Sequence, residues 1–158
     1  MTNRTVQAEG AGGPSASLLA DTWLVVPLYN EAPVVREVIA EARAVFPRIV
    51  VVDDGSSDAT GEGAEGFASA PEGFRVIRQE NKGHGGAVNT GVAAATGTWI
   101  KVVDSDDAHD PAALARVLTQ LREWRDRGVE PDLVVTNFVY MRADRRPRRH
   151  AVRYPRIL

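Results

Sequence analysis

Cysteine is absent from the 158 residues. That excludes disulfides and thiolate metal sites, and it suits a reducing cytosol. Long apolar runs are absent too: none approaches the roughly 20 residues a membrane-spanning helix needs. The N-terminus lacks the charged-then-apolar pattern of a secretory signal. Nor is there an excess of either charge. Against 21 Asp and Glu stand 19 Lys and Arg, a formal net charge of −2, so overall charge points to neither nucleic acid nor a membrane surface. Internal repeats are missing as well. What is present, 44% hydrophobic and 25% charged residues, is the composition of an ordinary globular domain. The chain is long enough to bury a core, and a cytoplasmic location is expected.

Residues 1–20 are rich in Gly, Ala, Ser and Thr without periodicity and read as a disordered leader. Residues 21–158 are expected to form one domain. Trp23-Leu24-Val25-Val26-Pro27-Leu28 is a short apolar run of the kind buried on both faces of a sheet. Pro33 suits the first turn of a helix, and Val34, Val35, Val38, Ile39, Ala42 and Val45 recur at helical spacing. Ile49–Val52 is a second buried strand, followed by the turn-prone Asp53-Asp54-Gly55-Ser56-Ser57. A glycine-interrupted helix over 58–68, a strand over 74–78 and a glycine-rich turn opening a helix over 83–95 follow. Trp99–Val103 is a fourth strand ending at Asp104. Asp110 can cap a helix with Pro111 at its first position and Ala113, Leu114, Val117, Leu118 and Leu121 on one face. Gly128 ends it, and Leu133–Tyr140 reads as a fifth strand. Strands alternating with helices predict an α/β fold, a mostly parallel sheet covered by helices.

Polar residues collect at the carboxyl ends of three strands: Tyr29-Asn30-Glu31, Asp53-Asp54-Gly55-Ser56 and Asp104-Ser105-Asp106-Asp107. In an open α/β sheet, ligands bind outside those ends, so the three clusters are expected to face one site. Asp104, Asp106 and Asp107 repel one another unless a cation sits among them. Mg²⁺, held by one or two carboxylates plus substrate phosphates, is one partner; a solvated turn near a helix start is the other reading. Asp53 and Asp54 are either turn and cap residues or acceptors for a base N–H or ribose hydroxyl. Tyr29 is either a core-edge aromatic or a platform for a base. Lys82-Gly83-His84-Gly85-Gly86 is a flexible turn, or a place where backbone approaches a ligand with Lys82 near phosphate.

Four segments together carry a resemblance: Val25 to Glu31, Val50 to Asp58, Asn81-Lys82-Gly83 through Ala87 to Gly91, and Gly97 to Ile100 through Asp104-Ser105-Asp106-Asp107. In order and spacing, across roughly Trp23 to Leu121, they resemble the family 2 glycosyltransferases. The resemblance implies a GT-A fold, Rossmann-like, and a nucleoside-diphosphate sugar donor, with UDP preferred. By position, Pro27, Tyr29 and Glu31 match the nucleoside-contacting first motif. Val52 and Asp54 match the base-contacting second motif, with Asp53 adjacent. Asp104 matches the first carboxylate of a DXD motif, near ribose and metal, with Ser105 between, and Asp106 matches the direct ligand of Mg²⁺ or Mn²⁺. Lipid-phosphate sugar synthases share the first two motifs but tend to carry Ala within the tetrapeptide. Asp-Ser-Asp-Asp looks more like transferases that build surface polysaccharides.

The reaction so implied is metal-assisted, inverting transfer of a sugar to an acceptor hydroxyl, on a glycan or lipid-linked acceptor. The family's carboxylate base lies on a later segment, and no acidic residue follows Asp144. Asp144 sits among arginines as a turn residue, Asp107 is a weak substitute, and the catalytic residue is therefore unassigned. The chain is expected to be truncated at its C-terminus. A donor-binding fragment or subunit without its own turnover is the alternative. Arg145, Arg146, Arg148, Arg149, Arg153 and Arg156 read as a solvated hairpin between Tyr140 and Val152. Peripheral contact with the inner face of a membrane is a second use for them, nucleic acid is excluded, and an open sheet edge would invite a homo-oligomer. Three other classes fit less well. A nucleotidyltransferase wants a Gly-rich segment with Arg where Tyr29-Asn30-Glu31 stands. A dinucleotide oxidoreductase wants G-x-G-x-x-G after the first strand. A phospho-receiver leaves the first motif unexplained.

Overall fold

The structure, a computed structural model, describes residues 18–68, 73–142 and 145–150. Residues 1–17 of the expected leader, and the tail residues Asp144, Val152, Arg153 and Arg156, lie outside the described residues. Residues 18–20 form a helical turn. Leu18 is buried there, and its carbonyl accepts the Thr22 hydroxyl at 2.7 Å.

Two compact units are present, Met1–Glu123 and Trp124–Leu158. In the first, β1 (Thr22–Leu28), β2 (Arg48–Asp54), β3 (Phe74–Gln79) and β4 (Trp99–Val102) form a parallel sheet in the order β3-β2-β1-β4. Three helices connect them: α1 (Val35–Arg43), α2 (Thr60–Glu65) and α3 (Gly83–Ala94). Every residue of β1 is buried, as its unbroken apolar run requires of a strand covered on both faces. Period 2 then divides the core. Leu24, Val26, Leu28, Ile49 and Val51 face α1 and α2, packing on Val35, Ile39, Ala42, Phe46 and Ala64. Trp23, Val25, Val50 and Val52 face the other way, onto Ala87 of α3. A Cβ on Gly91 would lie 2.3 Å from Val25 Cγ1, so this glycine lets α3 approach β1.

The α1 helix begins two residues beyond Pro33, after a turn in which the Glu31 carbonyl accepts the N–H groups of Val34 and Val35. The fourth helix, α4 (Pro111–Asp126), opens as expected: Asp110 Oδ1 accepts the Ala113 N–H at 2.6 Å. Leu118 and Leu121 are buried.

The expected fifth strand differs. Leu133 and Val135 are exposed and unpaired in any strand, and β5 runs over Phe138–Arg142. It pairs antiparallel with β6 (Arg145–His150) in a separate two-stranded sheet, in the second unit. Two strands only two residues apart in the chain pair locally. A Leu-Val-Val run shows that a segment is apolar without naming the strand it joins. The hairpin expected beyond Tyr140 is present, with Phe138 stacked on His150 at 4.7 Å and set edge-on to Tyr140. No helix among the described residues is long and apolar enough to cross a membrane.

Candidate functional site

The strand order sets the site. From β1 the chain winds outward through β2 to β3, then crosses by α3 to the far side of β1 to form β4. The strand order thus reverses at β1, which makes the carboxyl ends of β1 and β4 the place where a crevice is expected. A cleft of about 300 Å³ lies there. Its walls come from three places: Pro27, Leu28, Tyr29 and Glu31 at the end of β1, Asp54 with Asn81, Gly83, His84 and Ala87 from β2 and the start of α3, and Asp104 to Asp106 after β4. The three polar clusters expected to converge do converge.

The loops after β1 and β2 brace each other. Asn30, Glu31 and Ala32 donate their backbone N–H groups to Ser56 Oγ, Thr60 Oγ1 and Asp58 Oδ2 at 2.9, 2.7 and 3.1 Å. In return, Asn30 Oδ1 accepts the Ser57 N–H at 2.9 Å. Asn30 holds a φ of 55°, a left-handed conformation that Asn tolerates because its short amide can bond locally. Thr60, fully buried, donates its hydroxyl to Asp58 Oδ1. That bond, ahead of the opposing effect of burial, and the Ala32 and Thr60 N–H groups lower the Asp58 pKa.

Asp53 and Asp54 are both buried and do different work. Asp53 Oδ1 accepts the Ser56 N–H at 3.1 Å, and Oδ2 lies 3.4 Å from Arg78 Nε, so both oxygens serve the fold. Asp54 Oδ1 accepts Gln79 Nε2 at 2.6 Å and the Lys82 N–H at 2.9 Å. Burial pushes its pKa up, but the donors from Gln79, Lys82 and Gly83, with the Lys82 charge, outweigh burial and hold it below the ordinary value. Gln79 Oε1 accepts the Thr90 hydroxyl at 2.7 Å, which ties this network to α3.

The wall after β4 is looser. Asp104 to Asp107 form a turn closed by the Asp107 N–H on the Asp104 carbonyl at 3.0 Å. The Asp104 carboxylate is half exposed and faces His84 Nε2 across 3.7 Å. Asp106 is exposed, and no hydrogen bond or ion pair engages its side chain among the described residues. Behind the turn, the His109 ring stands edge-on to Phe46 at 5.6 Å. Burial first, then the Lys101 charge, lowers the His109 pKa, with Glu41 opposing; burial likewise lowers that of Lys101, against the pull of Asp107.

Of the residues singled out in the sequence, Pro27, Tyr29, Glu31, Asp54, Asp104, Ser105 and Asp106 line the cleft together. Val52 is in the core, and Asp53 lies beneath the loop. Lys82 brings its backbone N–H to Asp54, while its side chain is not among those lining the cleft. Asn81 and His84 line the cleft and were not singled out as site residues. The available signal was Gly55: a Cβ there would sit 2.7 Å from the Asn81 backbone nitrogen, so the loop after β2 needs a glycine to touch the segment after β3.

Among the described residues, no three His, Cys, Asp or Glu side chains form a ready metal cluster. Two hard carboxylates and a hydroxyl at an open cleft nonetheless fit Mg²⁺ or Mn²⁺, which take few protein ligands and complete their shell from water and phosphate.

The profile of Glycosyl transferase family 2 matches residues 23–156. The succinoglycan biosynthesis protein ExoO of Rhizobium meliloti (strain 1021) is 38% identical over 108 residues, covering 66% of this chain and 31% of that protein. Glycosyltransferase GlyG of Streptococcus pneumoniae serotype 4 is 33% identical over 119 residues, covering 73% of this chain and 38% of GlyG. Among solved structures, the mannosyltransferase PcManGT from Pyrobaculum calidifontis, in complex with GDP-Man and Mn²⁺, superposes with a TM-score of 0.54 at 28% identity, over 64% of this chain and 32% of that one. The chain thus spans about a third of the length of the curated relatives it matches.

Proposed function

The chain belongs to glycosyl transferase family 2, and from that premise we propose that its cleft binds a nucleoside-diphosphate sugar for transfer to an acceptor hydroxyl in polysaccharide or cell-envelope glycan synthesis. The observation that carries this reading is the pairing, in one cleft at the β1/β4 crevice, of a buried ionised Asp54 beside Tyr29 with the open Asp104–Asp106 turn. A base and ribose want a rigid acceptor and an apolar platform; a diphosphate wants charge compensation. Tyr29, half exposed, offers its ring to a base. Asp54 and Asn81 offer an acceptor and an amide, and Glu31 an acceptor for a ribose hydroxyl.

Asp104 and Asp106, with Ser105, would hold Mg²⁺ or Mn²⁺. Bound there, the ion neutralises negative charge on the departing diphosphate as a Lewis acid. UDP is the preferred nucleotide, and inversion at the anomeric carbon the expected outcome. The acceptor hydroxyl needs a base. The carboxylates of this cleft are taken up by the donor site, so none is assigned that role. This favours a second reading, in which the chain by itself binds the donor without turning it over.

The test is calorimetric titration of the folded chain with UDP, GDP and dTDP, in Mn²⁺ or Mg²⁺, then in chelator, and again with Asp106→Ala. Metal-dependent binding of one nucleotide, lost in the variant, is expected. A folded chain that binds none of them would sink the donor-site reading. A product assay with the matching sugar nucleotide separates transfer from binding alone.

A further inference from the structure

We infer that His84 is a diphosphate-binding residue of this cleft, its imidazole donating an N–H to an oxygen of the donor's diphosphate from the wall that faces the Asp104–Asp107 turn. The inference rests on the donor-site reading above and adds a ligand to it.

The charge balance of the cleft makes the case. Its lining carries four carboxylates, those of Glu31, Asp54, Asp104 and Asp106. Asp54 is satisfied by Gln79 and the Lys82 N–H. The other three are acceptors when ionised and repel an incoming diphosphate. Among the described lining residues there is no Lys or Arg. The Lys82 stem packs on the first turn of α3, where a Cβ on Gly86 would lie 2.4 Å from Lys82 Cβ, and its charge is spent on Asp54. A cation on the Asp104–Asp106 side compensates one flank of a diphosphate. The remaining diphosphate oxygens are left to what α3 presents next to that turn, and that is His84.

Geometry agrees. His84 Nε2 stands 3.7 Å from Asp104 Oδ1, so the imidazole lines the cleft directly beside the carboxylate turn where the diphosphate is expected. The His84 side chain is 64% exposed and packs into no core cluster. Beside it, a Cβ on Gly83 would meet nothing within 4 Å, so there is open space next to the imidazole at the start of α3. The first N–H groups there are already engaged, Lys82 N–H by Asp54 Oδ1 and Gly83 N–H by Asn81 Oδ1, each at 2.9 Å, so what this end of α3 offers a ligand is the His84 imidazole. A purely structural ion pair with Asp104 is the rival explanation, and it predicts a loss of stability when His84 is removed.

The experiment uses the full chain with Mn²⁺, as wild type, His84→Ala, His84→Gln and Asp106→Ala. It measures UDP and GDP by calorimetry and uridine and guanosine by competition, with thermal melting of each variant. The expected result for His84→Ala is diphosphate binding weakened by about tenfold or more, the scale of one hydrogen bond to a charged group. Nucleoside binding and the melting midpoint should be unchanged, and His84→Gln, which keeps a donor, should recover most of the affinity. Unchanged UDP and GDP affinity in His84→Ala overturns the inference, as does an equal loss of nucleoside or a lowered midpoint. If Asp106→Ala still abolishes binding in that case, the donor-site reading stands without His84. If the wild type binds neither nucleotide, both fall.

Discussion

Asp54 ends one strand of the sheet, Asp106 follows another, and both line one cleft, yet their surroundings are opposite. Asp54 is 3% exposed, with its carboxylate met by Gln79 and by the backbone after β3. Asp106 is exposed on a turn held by one backbone hydrogen bond, between Asp107 and Asp104. The first wall is organised before any ligand arrives, so it can discriminate by shape and hydrogen bonding at little cost in ordering. The second leaves Asp106 without a hydrogen bond or ion pair among the described residues, which suits a group whose partner comes with the ligand. A carboxylate committed to the fold and a carboxylate reserved for a ligand are told apart by what already holds them.

That contrast can be broken by substitution. Asp54→Ala removes the buried acceptor of two hydrogen bonds, and a loss of about 2 kcal/mol is expected in urea unfolding. A loss no larger than that of Asp106→Ala would remove the distinction between the walls. Thr60→Val keeps the shape but deletes the acceptor of the Glu31 N–H and the donor to Asp58. It should cost about 1–2 kcal/mol and weaken nucleotide binding through the loosened loop. Recovery of nucleotide affinity in Thr60→Ser would assign the effect to the hydroxyl.

Acid should act on the same wall. The folded pKa values of Asp54 and Asp58 are lowered, so their contribution is present above the unfolded carboxylate range and is lost as pH falls through the folded values. Stability should decline below about pH 4. Asp54→Asn, whose side chain does not titrate, should show a shallower decline in an acid titration followed by circular dichroism. The smallest effect on stability is expected at the other wall. Asp106→Ala should shift unfolding by no more than about 0.5 kcal/mol while abolishing metal-dependent nucleotide binding. A large stability loss there would mean that Asp106 serves the fold.

Much of this was legible along the chain. The apolar runs of β1 and β2 and the helical spacing around Val35, Ile39 and Ala42 follow from burial with a period, and periods are written in neighbouring residues. The same patterns misplaced β5. An apolar run reports that a strand wants cover, while its partner is set by what lies near it in space. The family motifs were equally visible, and they located the cleft before its walls were known.

By itself, then, the sequence determined a parallel α/β sheet, helices on both faces, and three acidic or amide-rich loops gathered at one end, because local periodicity and strand polarity suffice for these. Only the tertiary structure decided which carboxylates reach the cleft. Asp53 and Asp54 are neighbours in the chain, but one turns to Arg78 and the other to Gln79 and Lys82, and His84 meets Asp104. The loops after β1 and β2 are joined by bonds between residues 26 to 29 positions apart. Such partners are chosen by the packing of strands and helices, and no local pattern records the choice.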